Sequence, residues 1–271
     1  MIIVFDTFSG LCNQFMDINT GINFCIINNI KFTFRYCNLR NKNLISWYNE
    51  KFNKLFDTKF IEEYKDLYID FDTIKLTEEN TFNFKGNTCV NLFTNNFINE
   101  INEIDKEHIV LKQIWPIFYN NFKIINHLTE KIKPSNRIMD LYNNIKNKLL
   151  LNNEEYNFIH YRYEIDFTNH FKINIESLKN IVFDCKKKFK NPELKIYIAT
   201  SNFKRIVDLN DTELCNIIFT KNEDELLEYN FEELAFVDYM FGLNSNEVFG
   251  HSKSSFSHTL NSLKGTQNYY A

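Results

Sequence analysis

Tyr156-Asn157-Phe158-Ile159-His160-Tyr161-Arg162-Tyr163-Glu164-Ile165-Asp166-Phe167 is the stretch on which the reading of this 271-residue chain turns. Its apolar opening predicts a β-strand over residues 157–162, with His160 and Arg162 near the carboxyl end and Glu164 and Asp166 just beyond. Open α/β sheets bind ligands outside the carboxyl ends of their strands. A guanidinium stays charged at any accessible pH and presents a fork that fits phosphate, so Arg162 in this company points to phosphate or sugar-phosphate chemistry. The same octet, 160–167, also reads as an ordinary strand end whose polar residues form a surface ion pair.

Working outward, the pattern downstream alternates: helix 175–189, strand 194–200, helix 203–209, strand 215–220, helix 232–241, strand 247–250 and helix 254–263. Strands alternating with helices predict a parallel sheet with helices on both faces. Upstream, an apolar strand at residues 2–5 ends at Asp6. Phe15, Ile18, Ile22 and Ile26 then fall at helical spacing within 13–28, and residues 31–35 alternate like a strand. Residues 39–134 are less regular, with helical stretches around 46–56 and possible strands at 67–71 and 88–93. A polar helical segment, 134–153, joins the two parts. The expected fold class is α/β and GT-B-like, with two Rossmann-like halves, 1–150 and 151–271, facing a central cleft.

Composition narrows the function. A net charge of -4 supplies no basic field to neutralise phosphates, so nucleic acid is not expected as a partner. With 44% hydrophobic residues and 28 Phe the chain can bury a substantial core, yet it has no apolar run near the roughly 18 residues of a membrane span. Cys12, Cys25, Cys37, Cys89, Cys185 and Cys215 are scattered, with no CxxC pair and no His at zinc-ligand spacing, so neither a metal nor redox chemistry is indicated. The opening residues lack the basic and apolar regions of a signal peptide, and a soluble, cytoplasmic protein is expected.

Three further constellations could carry chemistry. Gly10-Leu11-Cys12-Asn13-Gln14 lies between the first strand and first helix, where a glycine allows close backbone approach and helix N–H groups can meet an anion; it reads equally as a glycine loop with Asn13 as helix N-cap. Ser252-Lys253-Ser254-Ser255-Phe256-Ser257-His258 sets hydroxyls at the start of the last helix, suited to a phosphate, with Ser capping and a core Phe256 as the plain alternative. Asp238, on the preceding helix, could accept both N1–H and N2–H of guanine or be a solvated helical carboxylate. Asp70-Phe71-Asp72 matches the short Asp-x-Asp pattern by which GT-A glycosyltransferases hold a divalent metal.

In order along the chain, these motifs resemble the GDP-fucose-dependent fucosyltransferase superfamily, which unites the protein O-fucosyltransferases with the α1,2- and α1,6-fucosyltransferases. Gly10 to Gln14 is similar to its glycine-Asn-Gln loop. His160-Tyr161-Arg162, with Asp166 and Phe167, is similar to its His-Leu-Arg motif and the Asp-aromatic pair that follows. Val248 to Ser257 resembles its Phe-Ile-Gly stretch and Ser-Ser-Phe-Thr turn, Asp238 stands at the place of its guanine-contacting Asp, and Ile196 to Ser201 resembles its Ala-Thr-Asp strand end. The chain departs from the pattern at Gly10, where protein O-fucosyltransferases commonly carry Arg, at Cys12 for Gly, and at Ser201 for Asp.

The resemblance implies an inverting transfer from GDP-fucose, or a related GDP-sugar, to a hydroxyl of a glycan or protein acceptor, with no cofactor and no metal. It implies that Arg162 stabilises the departing β-phosphate. Gly10, Asn13, His160, Asp238, Ser254, Ser255 and Phe256 would bind the donor, and Glu164, Asp166 or Asp6 would be candidate bases. Two alternatives stand beside it: a catalytically silent GDP-sugar-binding module, and a metal-dependent GT-A enzyme built on Asp70 and Asp72.

Overall fold

The computed structural model describes residues 1–41, 46–84, 95–112, 114, 129–149, 154–202, 204–207, 218–221 and 227–270. The chain divides into two compact units, 1–136 and 137–271. The division falls ahead of the point expected from sequence, because the polar helix of the middle packs into the second unit.

In the first unit, β1 (Ile2–Asp6) leads into α1 (Leu11–Asn28), β2 (Lys31–Arg40), β3 (Trp47–Lys51), β4 (Thr81–Asn83), α2 (Asn95–Asn102) and β5 (His108–Lys112). The sheet order is β3-β2-β1-β5-β4, parallel except for the β2–β3 pair. Helix α1 lies so close to β1 that a Cβ on Gly21 would sit 3.1 Å from the Phe5 ring. It ends where Asn29 turns left-handed at φ 52 and donates its N–H back to the helix.

Several expectations for this region are corrected. Residues 46–56 form an edge strand followed by a 3-10 turn, not a helix, because Trp47 and Tyr48 pair antiparallel with Arg40 and Leu39. The second strand runs to Arg40, twice its expected length. Around 67–71 there is only a single bridge, Phe32 to Tyr68, before a 3-10 turn at Phe71–Thr73. Strands β4 and β5 and helix α2 are additions to the expected pattern, and residues 88–93 lie outside the described residues.

The second unit is built from α3 (Asn136–Lys148), β6 (Tyr156–His160), α4 (Ile165–Phe171), α5 (Leu178–Lys188), β7 (Lys195–Ala199), α6 (Lys204–Val207), β8 (Ile218–Phe219), α7 (Phe231–Asn244), β9 (Val248–His251), α8 (Ser255–Leu263) and β10 (Tyr269–Tyr270). Its five strands are all parallel in the order β10-β9-β6-β7-β8. Counted within the unit this is 5-4-1-2-3, a Rossmann order whose direction reverses between β6 and β9. The octet divides at this edge: Arg162 lies past the end of β6, and Ile165 to Phe167 open α4, a helix absent from the expected pattern.

Successive side chains of β6 pack on opposite faces. Ile159 joins Ile181, Val182, Cys185, Ile196, Ile198 and Phe249 under α5. Phe158 stacks on Tyr197, and Tyr197 on Phe241 of α7, at 5.7 and 4.4 Å between ring centres. Such aromatic pairs contribute about 0.5–1.5 kcal/mol each beyond their burial. Helix α3 joins the same layer: its Tyr142 packs on Phe241 and its Arg137 pairs with Glu233, itself half of a capping box with Asn230. Among the described residues no helix is long and apolar enough to cross a membrane.

Helix α8 is seated on β9 through Gly250, where an added Cβ would lie 2.2 Å from Ser257 Oγ and 2.5 Å from its Cβ. Gly250→Ala is therefore expected to destabilise the protein by about 1–3 kcal/mol through overpacking, a loss measurable as a shifted denaturant midpoint at unchanged slope.

Candidate functional site

The reversal point between β6 and β9 gathers the polar residues of the second unit. Arg162 lies just beyond β6 with its side chain only 14% exposed. One Nη donates to Glu164 Oε2, the other to Asp166 Oδ2 at 2.9 Å, and the guanidinium packs over the Phe167 ring. Burial alone would lower its pKa, but Coulombic attraction and hydrogen bonds from the two carboxylates outweigh that and raise it, so the charge is fixed. Glu164 is the buried N-cap residue of α4, and its other oxygen accepts the Ser201 N–H at 3.4 Å. The octet thus forms a local ion-pair cluster, largely withdrawn from water.

His160, the last residue of β6, is buried. Its Nδ1 lies 2.9 Å from Ser257 Oγ and its ring rests on Phe256, 4.4 Å between centres. Burial first, then the nearby charges of Arg162, His251 and Lys221, push its pKa well below the ordinary value, leaving a neutral imidazole. Ser254 caps α8: its hydroxyl accepts the Ser257 N–H and its carbonyl the His258 N–H. The capping expected of this serine is present. His160, Arg162, Ser254, Ser255 and Phe256 are therefore assembled at one edge by two neighbouring strands.

Asp238 is not the solvated helical carboxylate of its plain reading. It is neither solvated nor presented freely: Oδ1 accepts the Tyr197 hydroxyl at 2.7 Å, and Oδ2 pairs with Lys221 Nζ, itself buried. Burial raises the Asp238 pKa, opposed by Lys221 and by the Tyr197 hydrogen bond. Neither Lys221 nor Tyr197 stands out in the sequence. A lone Lys after a short apolar run carries no periodic signal, and its partner is 17 residues away.

In the first unit, the loop after β1 is organised by Gln14, the last residue of the Gly10 to Gln14 motif and one to which the motif assigns no role. Its Oε1 accepts from the Thr7 hydroxyl and the Asn38 amide, while Nε2 donates to the carbonyls of Ser9 and Asn38, all within 2.7–3.0 Å. These bonds hold Ser9 in the left-handed region, at φ 77. The helix N-cap is Gly10, not Asn13; Asn13 sits in the first turn and donates to Ser9 Oγ. Phe8 stacks on Trp47 and the Arg40 guanidinium packs on the same indole.

Asp6 closes β1 where the pairing with β2 skips Arg35, and Arg35 folds back onto it with bonds of 2.9 and 2.6 Å; Lys112 adds a third contact at 3.5 Å. Asp70 and Asp72 lie on the exposed 3-10 turn, Asp70 accepting the Asp72 N–H and Asp72 pairing with Lys51. Both carboxylates serve local ends, which does not favour the metal-site alternative. Of the cysteines, Cys12, Cys25, Cys37 and Cys185 are buried, while Cys89 and Cys215 lie outside the described residues.

Lys221→Met leaves the Asp238 carboxylate buried without its counter-charge and is expected to cost about 3–5 kcal/mol at neutral pH. A carboxylate whose folded-state pKa is raised favours folding most below its unfolded value and loses that contribution as pH rises through the folded value. The penalty in Lys221→Met should accordingly shrink as pH falls and Asp238 takes up a proton, which melts recorded across pH 4–8 would show.

No protein-family model and no curated protein matches the chain by sequence. Solved structures do match by shape. A crystal structure of POFUT1 in complex with GDP superposes with a TM-score of 0.66 at 10% identity, covering 100% of this chain and 98% of that one. POFUT1 in complex with GDP-fucose gives 0.63 at 10% identity over 100% and 97%. The fucosyltransferase NodZ from Bradyrhizobium gives 0.54 at 11% identity over 96% and 91%. At such identities the likeness speaks for the fold, and the chain has the GT-B-like α/β fold of these fucosyltransferases.

Proposed function

We propose that this chain is a glycosyltransferase that transfers a fucosyl group from GDP-fucose to the hydroxyl of a glycan or protein acceptor. The observation that carries the reading is the buried Arg162 guanidinium at the β6–β9 reversal point, two residues after the His160 that packs on the first turn of α8, in a fold shared with proteins solved with GDP and GDP-fucose.

In the reaction the bond from C1 of the sugar to the β-phosphate oxygen breaks and GDP leaves with the electron pair. The acceptor oxygen bonds to C1 from the opposite face and its proton is released. Negative charge grows on the departing diphosphate, and donors already fixed in place stabilise that charge without reorganising. Arg162 spends two of its five N–H donors on Glu164 and Asp166, so up to three remain for phosphate. In the first turn of α8 the Ser257 and His258 amides go to Ser254, leaving those of Ser255 and Phe256 for an anion.

Phe256, packed against the buried His160 ring, is the aromatic face proposed for a base or sugar ring, with His160 supporting it from behind. Asp238 reads guanine only by sharing oxygens already engaged by Tyr197 and Lys221. Gly10 and Asn13 of the first unit are likewise proposed as donor contacts, and metal independence is part of the proposal. Glu164 and Asp166 aim the guanidinium. Asp6, clasped by Arg35, is poorly placed to accept a proton.

A second reading, a GDP-sugar-binding module without turnover, is kept for the test. Glu164, Asp166 and Asp6 are each paired with a cation, so no candidate base is idle, as such a module would allow. The two readings part in one experiment, in which the purified protein is given GDP-fucose, other GDP-sugars and UDP-sugars, with and without EDTA. The enzyme reading expects GDP-fucose to raise Tm and to be slowly hydrolysed, in chelator as well; stabilisation without release of fucose supports the module. No response to any GDP-sugar removes both.

Arg162→Lys keeps a cation but loses the fork. Turnover should fall by about 10²-fold or more, as when one fixed transition-state donor is removed, while the variant still folds. Undiminished turnover would take Arg162 out of the mechanism.

A further inference from the structure

Arg162 leaves β6 at a point where the sheet has run out on one side. Pairing between β6 and β9 is confined to Phe158 and Ile159, whereas on the β7 side the Tyr161 N–H still donates to Ala199. Backbone groups alternate in direction along a strand, so the His160 carbonyl and Arg162 amide point toward β9 with no ladder partner. Buried backbone groups without partners are costly. Here both meet one side chain: the Tyr270 hydroxyl donates to the His160 carbonyl and accepts the Arg162 N–H at 3.0 Å. A phenol both donates and accepts, which lets it replace the missing rung.

The sequence brings Tyr270 there by a dedicated route. After α8 the chain turns at Gly265, in the left-handed region at φ 64. Asn261 then organises the return, accepting from the Thr266 hydroxyl and the Asn268 amide and donating to the carbonyls of Ser257 and Asn268. Strand β10 pairs with Gly250 and His251, and the Tyr270 ring packs against Tyr163 and His251. Tyr269, its neighbour, faces the other way and meets His258.

We propose that Tyr270 is a positioning residue: its hydroxyl fixes the backbone at which Arg162 departs the strand, and thereby the aim of the guanidinium. This rests on the role proposed for Arg162 in donor chemistry, though Tyr270 itself touches no reacting atom.

Tyr270→Phe retains the ring and removes both hydrogen bonds, and Tyr269→Phe serves as the matched control. Two readouts separate positioning from simple stability: exchange of the 15N-labelled Arg162 amide by NMR, and steady-state kinetics with GDP-fucose well below Tm. In Tyr270→Phe, Arg162 amide exchange should accelerate on the order of tenfold or more while Phe158 keeps its protection. In the same variant kcat should fall on the order of tenfold with KM for GDP-fucose nearly unchanged, the mark of a misaimed rather than absent group. Tyr269→Phe should change neither.

Unchanged exchange, or faster exchange with undiminished kcat, overturns the proposal. Should Tyr270→Phe fail to fold, the unmodified protein still decides, since an Arg162 amide exchanging there as fast as an open loop is incompatible with the clamp. If the unmodified protein neither binds nor consumes any GDP-sugar, the donor reading fails, and amide exchange alone judges whether Tyr270 holds Arg162.

Discussion

A guanidinium withdrawn from water must find opposite charge, and in this chain it finds two carboxylates within four residues. Moving an ion into a protein interior costs several kcal/mol even after relaxation, so Arg162 could not rest where it does without Glu164 and Asp166. Meeting that requirement shapes everything nearby. The chain must leave β6, turn through Tyr163 and start a short helix at once, so that both acids come round to the arginine. Phe167 of the same helix then covers the guanidinium from above. With two anions to one cation, the cluster carries a net negative charge in isolation.

The same rule governs the other buried charges. Asp6 is clasped by Arg35 through an irregularity in strand pairing, and Asp238 by Lys221 and Tyr197. All three sets lie at the carboxyl ends of strands or beside them, where backbone pairing ceases and polar groups collect. Burial raises the Asp238 pKa, whereas at Arg162 the two acids win over burial; Arg162 faces two opposite charges, and Asp238 one charge and one neutral hydroxyl. The buried Asp238 carboxylate is therefore the pH-sensitive member of these sets, whereas a guanidinium keeps its charge at any accessible pH.

Much of the second unit is legible from residues alone because its strands are apolar runs separated by helices of ordinary length. Elements β6, β7, β9, α5, α7 and α8 stand within a few residues of their expected places. The first unit is harder. Its edge strand carries Trp47 and Tyr48 beside Asn49, Glu50 and Lys51, a composition that suits an exposed strand as well as a helix; only pairing with β2 decides the matter. Strands of two or three residues, such as β4 and β10, contain too little pattern to see. At the site, motifs locate Arg162, His160 and Ser254 because short-range spacing carries them. Lys221, Tyr197, Tyr270 and the hub role of Gln14 escape, since each acts through a partner that only the folded chain brings near. Asp238 is noticeable for its position, yet its engagement on both oxygens depends on two residues distant in sequence.

The stacking of Phe8 on Trp47, with Arg40 against the same indole, has an optical consequence. The chain contains two tryptophans, and this one is packed directly on the loop that Gln14 braces. An indole's emission depends on the charge and water around it. Any rearrangement that lifts Phe8 away alters both, so the state of the loop after β1 is coupled to a native chromophore, and the protein carries its own reporter on that segment without a label.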